Sequence, residues 1–186
     1  MEEVDSYLAT IDDLTADLDL PVWNRKELDK VIKESGDKSL TAEGLYNSSL
    51  ATDRGFALLD KKNLYFGRNR KIEICDLLTP DRKLLCVKRP SQSSTLSHLL
   101  AQGSVSASLM NEPPYRERLM GSLSQLTERA EYGNPADWTF VYAIATEKSG
   151  PLAESLFFFS KVNLVTNVRA IRSRSYRTAV AKISVV

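Results

Sequence analysis

Metal-binding and redox-active side chains are scarce in this chain. Its 186 residues include one histidine, His98, and two cysteines, Cys75 and Cys86. The two thiols form no CxxC pair and fall short of the ligand set of a structural zinc site. Paired strands would bring them near each other, but reduced thiols packed in a core are the expected state. No Ser-His-acid set surrounds the lone histidine, which argues against a nucleophilic triad. Neither GxGxxG nor a P-loop occurs, which argues against a nucleotide-fold enzyme. No apolar run approaches the roughly 20 residues that a membrane span needs. The first residues, Met1 to Asp5, are acidic and lack the basic start and apolar middle of a signal peptide. The expectation is a cytoplasmic protein without membrane contact.

Apolar residues are not scarce. They make up 42% of the chain, enough at this length for one cored domain with an appended helical segment. Charge divides the chain in two. Residues 1–60 carry 14 acids and 6 bases, a net of −8, and residues 61–186 carry 10 acids and 19 bases, a net of +9. The last 27 residues hold six bases (Lys161, Arg169, Arg172, Arg174, Arg177 and Lys182) and no acid. Clustered arginines suit a phosphate-bearing partner, because each guanidinium can grip two oxygens and counterions are released. The alternative is a solvated helix face that balances the acidic N-terminal arm, with the arm lying over it as an internal mimic of a polyanion.

Hydrophobic spacing orders the elements. Val4, Leu8, Ile11, Leu14 and Leu18 recur every three to four residues, so residues 2–18 read as one amphipathic helix. Pro21 ends it. Asn24 caps a second helix to about Glu34, stopped by Gly36, and Thr41 caps a third over residues 40–51. The period then shortens to that of strands at residues 56–60, 63–66, 71–78 and 83–88, separated by Lys-Lys, Gly-Arg-Asn and Thr-Pro-Asp-Arg turns. Helical spacing returns at 93–110 and 114–130. Residues 138–145 read as a central strand, 159–173 as a helix and 176–186 as a closing strand. Phe157, Phe158 and Phe159 are most simply core. The fold class is α+β (mixed α/β): a mixed sheet of about five strands flanked by helices over residues 41–186, after an N-terminal helical segment over residues 1–40.

The most informative stretch is residues 72–89, read as two strands around a tight turn. Side chains alternate along a strand, so Ile72, Ile74 and Asp76 share one face, and Glu73 and Cys75 the other. On the second strand Leu84, Cys86 and Lys88 share a face. One side of the hairpin would then present Asp76, Cys86 and Lys88. An acid on one strand and a lysine on the next resembles the core of restriction-endonuclease-like nucleases, which have a further acid two residues before the lysine. Cys86 holds that place, and a thiol is a poor ligand for Mg²⁺. Glu43 is the preferred substitute and Glu73 the second, so Asp76, Glu43 and Glu73 are the candidate ligands for Mg²⁺ or Mn²⁺. Lys88 would orient or activate water and offset phosphate charge. The bland alternative is that Asp76 caps a turn and Lys88 ends a strand.

His98 stands one helical turn before Gln102 on a shared face. The pair would position phosphate or base, or His98 is an ordinary helix histidine satisfied by a neighbour. Ser93, Ser94 and Thr95 read as the cap of that helix, whose free N–H groups would favour a phosphate near Lys88 and Arg89.

The chain also resembles an uncharacterised, sporadically distributed bacterial family carried on mobile elements and suspected of a role in phage defence. The resemblance rests on Glu73-Ile-Cys-Asp-Leu-Leu-Thr79, Val87-Lys-Arg89, Ser94-Thr-Leu-Ser-His-Leu-Leu-Ala-Gln-Gly103 with Val105-Ser106, and Phe159-Ser-Lys-Val-Asn-Leu164, with Tyr46-Asn47 a looser match. It implies nucleic acid as the partner and a chain that is the C-terminal part of a longer protein. It also implies histidine as the usual residue at the position of Cys86.

Three functions follow. The leading one is a nucleic-acid-acting, metal-dependent nuclease-like domain, with Asp76, Lys88 and Glu43 at its centre. Arg89, Ser94, His98, Gln102, Lys161, Arg169, Arg172 and Arg174 would contact DNA or RNA. The second is a non-catalytic nucleic-acid-binding module using the same groove. The third is an assembly domain, homo-oligomeric or bound to a partner subunit through its acidic N-terminal helices.

Overall fold

A computed structural model describes residues 2–59, 64–66, 70–90, 93–124 and 131–186, with backbone only at 64–66, 70–72, 93, 122 and 124. The amino-terminal stretch does not continue as one helix. It forms α1 (Glu2–Leu8), β1 (Asp12–Asp13) and α2 (Thr15–Leu18). The Asp13 carboxylate accepts both the N–H and the hydroxyl of Thr15. That local bonding competes with the helix, and it frees residues 12–13 to join the sheet. The segment expected as helical therefore also supplies a strand.

The next two helices start and stop where side-chain chemistry dictates. In α3 (Arg25–Ser35) the Asn24 side chain accepts the Glu27 N–H, and in α4 (Ala42–Arg54) the Thr41 hydroxyl accepts the Gly44 N–H. Gly36 and Gly55 end them in the left-handed region, at φ 66° and 67°. Five short strands follow: β2 (Ala57–Leu58), β3 (Leu64–Phe66), β4 (Arg70–Ile72), β5 (Leu77–Leu78) and β6 (Lys83–Lys88). The expected continuous strand over 71–78 is two pieces, because β4 pairs only with β3 in a separate antiparallel ribbon. The Lys-Lys and Gly-Arg-Asn turns fall outside the described residues.

The remaining elements are α5 (Ser93–Met110), α6 (Pro113–Ser124), β7 (Thr139–Thr146), α7 (Leu152–Ser155), α8 (Phe158–Arg172) and β8 (Arg177–Ser184). The helix expected to reach residue 130 is described to Ser124. The main sheet has six strands in the order β1-β8-β7-β6-β5-β2. β6, β7 and β8 are parallel, joined by helical crossovers, whereas β5 runs antiparallel to β6 and β2 antiparallel to β5.

Helices cover both faces. Leu84, Cys86, Phe140, Tyr142 and Ile144 pack under α5, α6 and α8 with Leu100, Met110 and Val168. Leu85, Val87, Val141, Ala143 and Ala181 pack on the other side with Trp23, Tyr46 and Leu50. The period-two alternation of β6 and β7 thus divides between two cores. Phe157, Phe158 and Phe159 belong to neither and are 69%, 47% and 81% exposed, contrary to their reading as core. Among the described residues no helix is long and apolar enough to cross a membrane.

Candidate functional site

Three elements and one irregular segment converge at the carboxyl end of β6 and enclose a cleft of about 540 Å³. Thr41 and Glu43 come from the start of α4, Glu73 and Asp76 from the segment between β4 and β5, and Val87 and Lys88 from β6. Ser94, Thr95, His98, Leu99 and Gln102 come from one face of α5. α4 is held in place by Tyr46, whose ring stacks on Trp23 at 4.8 Å and whose hydroxyl donates to the Pro21 carbonyl at 2.7 Å. α5 is tied to the irregular segment by the Ser106 hydroxyl, which donates to the Ile74 carbonyl at 2.8 Å.

Asp76 is fixed at several atoms. Its N–H donates to Leu85 O at 2.9 Å, its carbonyl accepts from Leu59 N–H at 2.8 Å, and its Oδ2 accepts the Val87 N–H at 2.6 Å. The carboxylate thereby takes the place of a ladder partner beyond the short β5. Asp76 is only 5% exposed yet lines the cleft. Lys88 Nζ lies 2.8 Å from Glu43 Oε1, with the two side chains 31% and 28% exposed.

The expected alternation fails at residues 73–76. Ile74 and Cys75 both enter the core, and Glu73 and Asp76 both line the cleft. Residues 73–76 belong to no strand and the chain bends at Asp76, so neighbouring side chains need not alternate. Cys86 shares the β6 face of Lys88 but does not line the cleft with Lys88 and Asp76. It is fully buried in the same core as Cys75, and both thiols are free. Burial pushes the Cys86 thiol well above its usual range, and the nearby Asp76 and Glu73 carboxylates push it further. Burial also raises the Cys75 thiol, which donates to Leu77 O.

The structure brings Asp76, Lys88, Glu43, Glu73, Ser94, His98 and Gln102 to one cleft. It places the other basic residues elsewhere. Arg89 pairs with Glu147 at 3.0 Å and lines a neighbouring cavity. Lys161 pairs with Asp5 at 2.9 Å, and Arg169 lies 3.7 Å from Glu3 and 4.5 Å from the Tyr7 ring centroid. Arg172 donates to Thr10 O at 2.8 Å and to the Thr178 hydroxyl at 2.8 Å. Arg174 donates to Ala170 O and, at 3.3 Å, to the Ser108 hydroxyl. The acidic arm therefore does lie against the basic face of α8.

The fit to a metal is poor as the cleft stands. Among the described residues no three His, Cys, Asp or Glu side chains are grouped so as to hold a metal ion. Asp76, Glu43 and Glu73 share the cleft without forming a ligand set, and Glu43 is engaged with Lys88.

Asn47 is a further polar residue close to the cleft in sequence, though it does not line it. It lies one turn after Glu43 on the same helix face and is fully buried. Neither Nδ2 nor Oδ1 has a hydrogen-bond partner among the described residues. Its signals in the sequence are the spacing from Glu43 and the looser Tyr46-Asn47 match to the resembled family.

Fold and cleft together define a mixed α/β domain with an acid–lysine site at one end of its sheet. The chain belongs to the Family of unknown function (DUF6119), whose model matches residues 1–184. No curated protein and no solved structure matches it.

Proposed function

We propose that this chain is a nucleic-acid-acting domain on a nuclease-like frame, with Asp76 and Lys88 at its centre. The placement of these two residues carries the reading. A helix (α4), three main-sheet strands that pair antiparallel in turn (β2, β5, β6), a helical crossover (α5, α6) and a parallel strand (β7) follow in chain order, with the separate β3–β4 ribbon inserted between β2 and β5. That order supports the restriction-endonuclease-like frame proposed for it. Asp76 stands just before the middle strand, Lys88 ends the third, and both line one cleft. Lys88 would face a phosphate, with His98, Gln102 and Ser94 positioning it from α5. The setting would be phage defence, the role suspected of the mobile-element family that the chain resembles.

A specific observation favours the non-catalytic version of this reading. The carboxylates do not fit Mg²⁺ or Mn²⁺ as they stand, and Glu43 neutralises the lysine that a nuclease would direct at phosphate. Binding therefore takes precedence over hydrolysis. The test is incubation with DNA and RNA at low salt, with and without Mg²⁺ or Mn²⁺. Salt-dependent binding weakened by Lys88→Ala is the expected result, because phosphate contacts fade steeply with salt. Metal-dependent cleavage abolished by both Asp76→Ala and Lys88→Ala would establish the nuclease. Failure to bind either polymer at low salt would overturn the proposal.

A further inference from the structure

Three consecutive phenylalanines, half of the six in the chain, face solvent at the start of α8. Single exposed apolar side chains are ordinary on a protein surface, but a contiguous aromatic tract marks a binding site. Beside it lies a second cavity of about 540 Å³, within the usual range for a small-molecule site. Its walls include Arg89 and Pro90 after β6, the end of β7 through Lys148, and Ser155 to Phe157 before α8. This groove adjoins the Asp76–Lys88 cleft. Lys88 lines one cavity and Arg89, the next residue, lines the other. Lys88 is also in register with Ile144, which lines the groove. Both cavities lie at the carboxyl end of β6, and the groove also at that of β7, where open α/β sheets present ligand sites.

The chemistry of the groove combines flat apolar rings with cations. Lys148 Nζ lies 4.2 Å from the Phe157 ring centroid and donates to Ser155 O at 2.6 Å, which holds it there. A ring with a cation on one face and 69% exposure keeps its other face open to stacking. Phe158 and Phe159 meet edge to face at 5.7 Å, so Phe159 projects as a second platform. Glu147 is the one acid among the groove residues, and Arg89 pairs with it. Aromatic platforms beside cations, continuous with a lysine cleft, match single-stranded nucleic acid, whose bases stack on rings while its phosphates follow the positive groups. Duplex DNA offers no free base faces.

We infer that Phe157, Phe159 and the groove beside them seat the unpaired bases of a single strand whose backbone continues into the Lys88 cleft. This deepens the proposed nucleic-acid reading and rests on it. The test uses the full chain and fluorescently labelled oligo-dT and oligo-U, with a duplex of equal length as comparison. Phe157→Ala combined with Phe159→Ala removes exposed rings only, and a circular dichroism melt superimposable on the unsubstituted protein's is expected. Affinity for the single strands falls about tenfold, since each stacked base contributes severalfold or more, and duplex affinity stays within about twofold. Lys88→Ala weakens both. If the unsubstituted chain binds single strands and the double variant binds them equally well, the platform is refuted while the cleft reading stands. Equal loss on duplex and single strand also refutes it. A changed oligomeric state in light scattering with unchanged strand affinity assigns the tract to an interface between copies instead. If the unsubstituted chain binds no nucleic acid, the parent reading fails and this inference with it.

Discussion

Lys88 Nζ and Glu43 Oε1 meet at 2.8 Å and join the end of β6 to the first turn of α4. The pair is only partly shielded, so it contributes about 1 kcal/mol or less to stability. Its larger effect is on the charge of the cleft. Glu43→Gln removes a negative charge and leaves Lys88 unneutralised. Thermal stability should fall by no more than about 2–4 °C, while oligonucleotide affinity at low salt rises. Calorimetry and fluorescence anisotropy read the two effects separately. Weaker binding in this variant would show that Glu43 supports the ligand rather than masking the lysine.

Packing of α5 on the sheet depends on the absence of a side chain at Gly103. A Cβ there would lie 2.9 Å from ring carbons of Tyr142. Tyr142 is itself buried, and its hydroxyl donates to Leu100 O at 2.7 Å, so the ring has little room to retreat. Gly103→Ala should cost about 1–3 kcal/mol through overpacking. Gly121→Ala is the matched control. That site on α6 is open, and alanine there should stabilise by up to about 1 kcal/mol. Denaturant melts of both variants check the opposite signs.

These contacts show where the sequence was sufficient and where it was not. The caps at Asn24 and Thr41, the glycine stops and the alternation of β6 and β7 are local signals, and the fold follows them. Glu43 is the acid that the sequence reading prefers as a substitute metal ligand beside Asp76, and the structure brings it to the same cleft, where it pairs with Lys88. The break at residues 73–76 was not legible. It depends on Val87 N–H bonding Asp76 and on Ser106 bonding Ile74 O, contacts that no spacing rule encodes. The helix predicted over residues 2–18 is broken because residues 12–13 pair with β8, some 167 positions onward at Asp12 and Ala179. The phenylalanine tract looked like core because hydrophobicity is legible and exposure is not.

Cys75 and Cys86 are enclosed and held protonated, burial being the larger cause in each. A thiol reagent at pH 8 should leave both unmodified in the native protein and label both in denaturant. The same burial sets an alkaline limit. Each folded thiol titrates above its unfolded value of about 8.5, so its contribution to stability is complete below that pH and is lost as pH rises beyond it. Tyr46, Tyr115, Tyr142 and Tyr176 are raised by burial too and add to the loss above about pH 10. Chemical stability attributable to these groups should therefore hold from pH 7 to about 8.5 and fall from there to pH 11. Rapid native-state labelling of either cysteine would contradict this enclosure.

Asn47 gives the sharpest separation of stability from function. A buried amide whose nitrogen and oxygen both lack partners, as those of Asn47 do among the described residues, costs about 1–3 kcal/mol relative to a satisfied or apolar group. Leucine has nearly the same size and no such cost. Asn47→Leu should raise the melting temperature by about 2–4 °C for each kcal/mol recovered. If Asn47 only fills space beneath Glu43, oligonucleotide binding stays unchanged in the stabilised protein. If its amide serves the ligand, binding falls while stability rises, the trade expected where a site keeps a locally unfavourable group. A lower melting temperature would show instead that the amide is hydrogen-bonded in solution and that its role is structural.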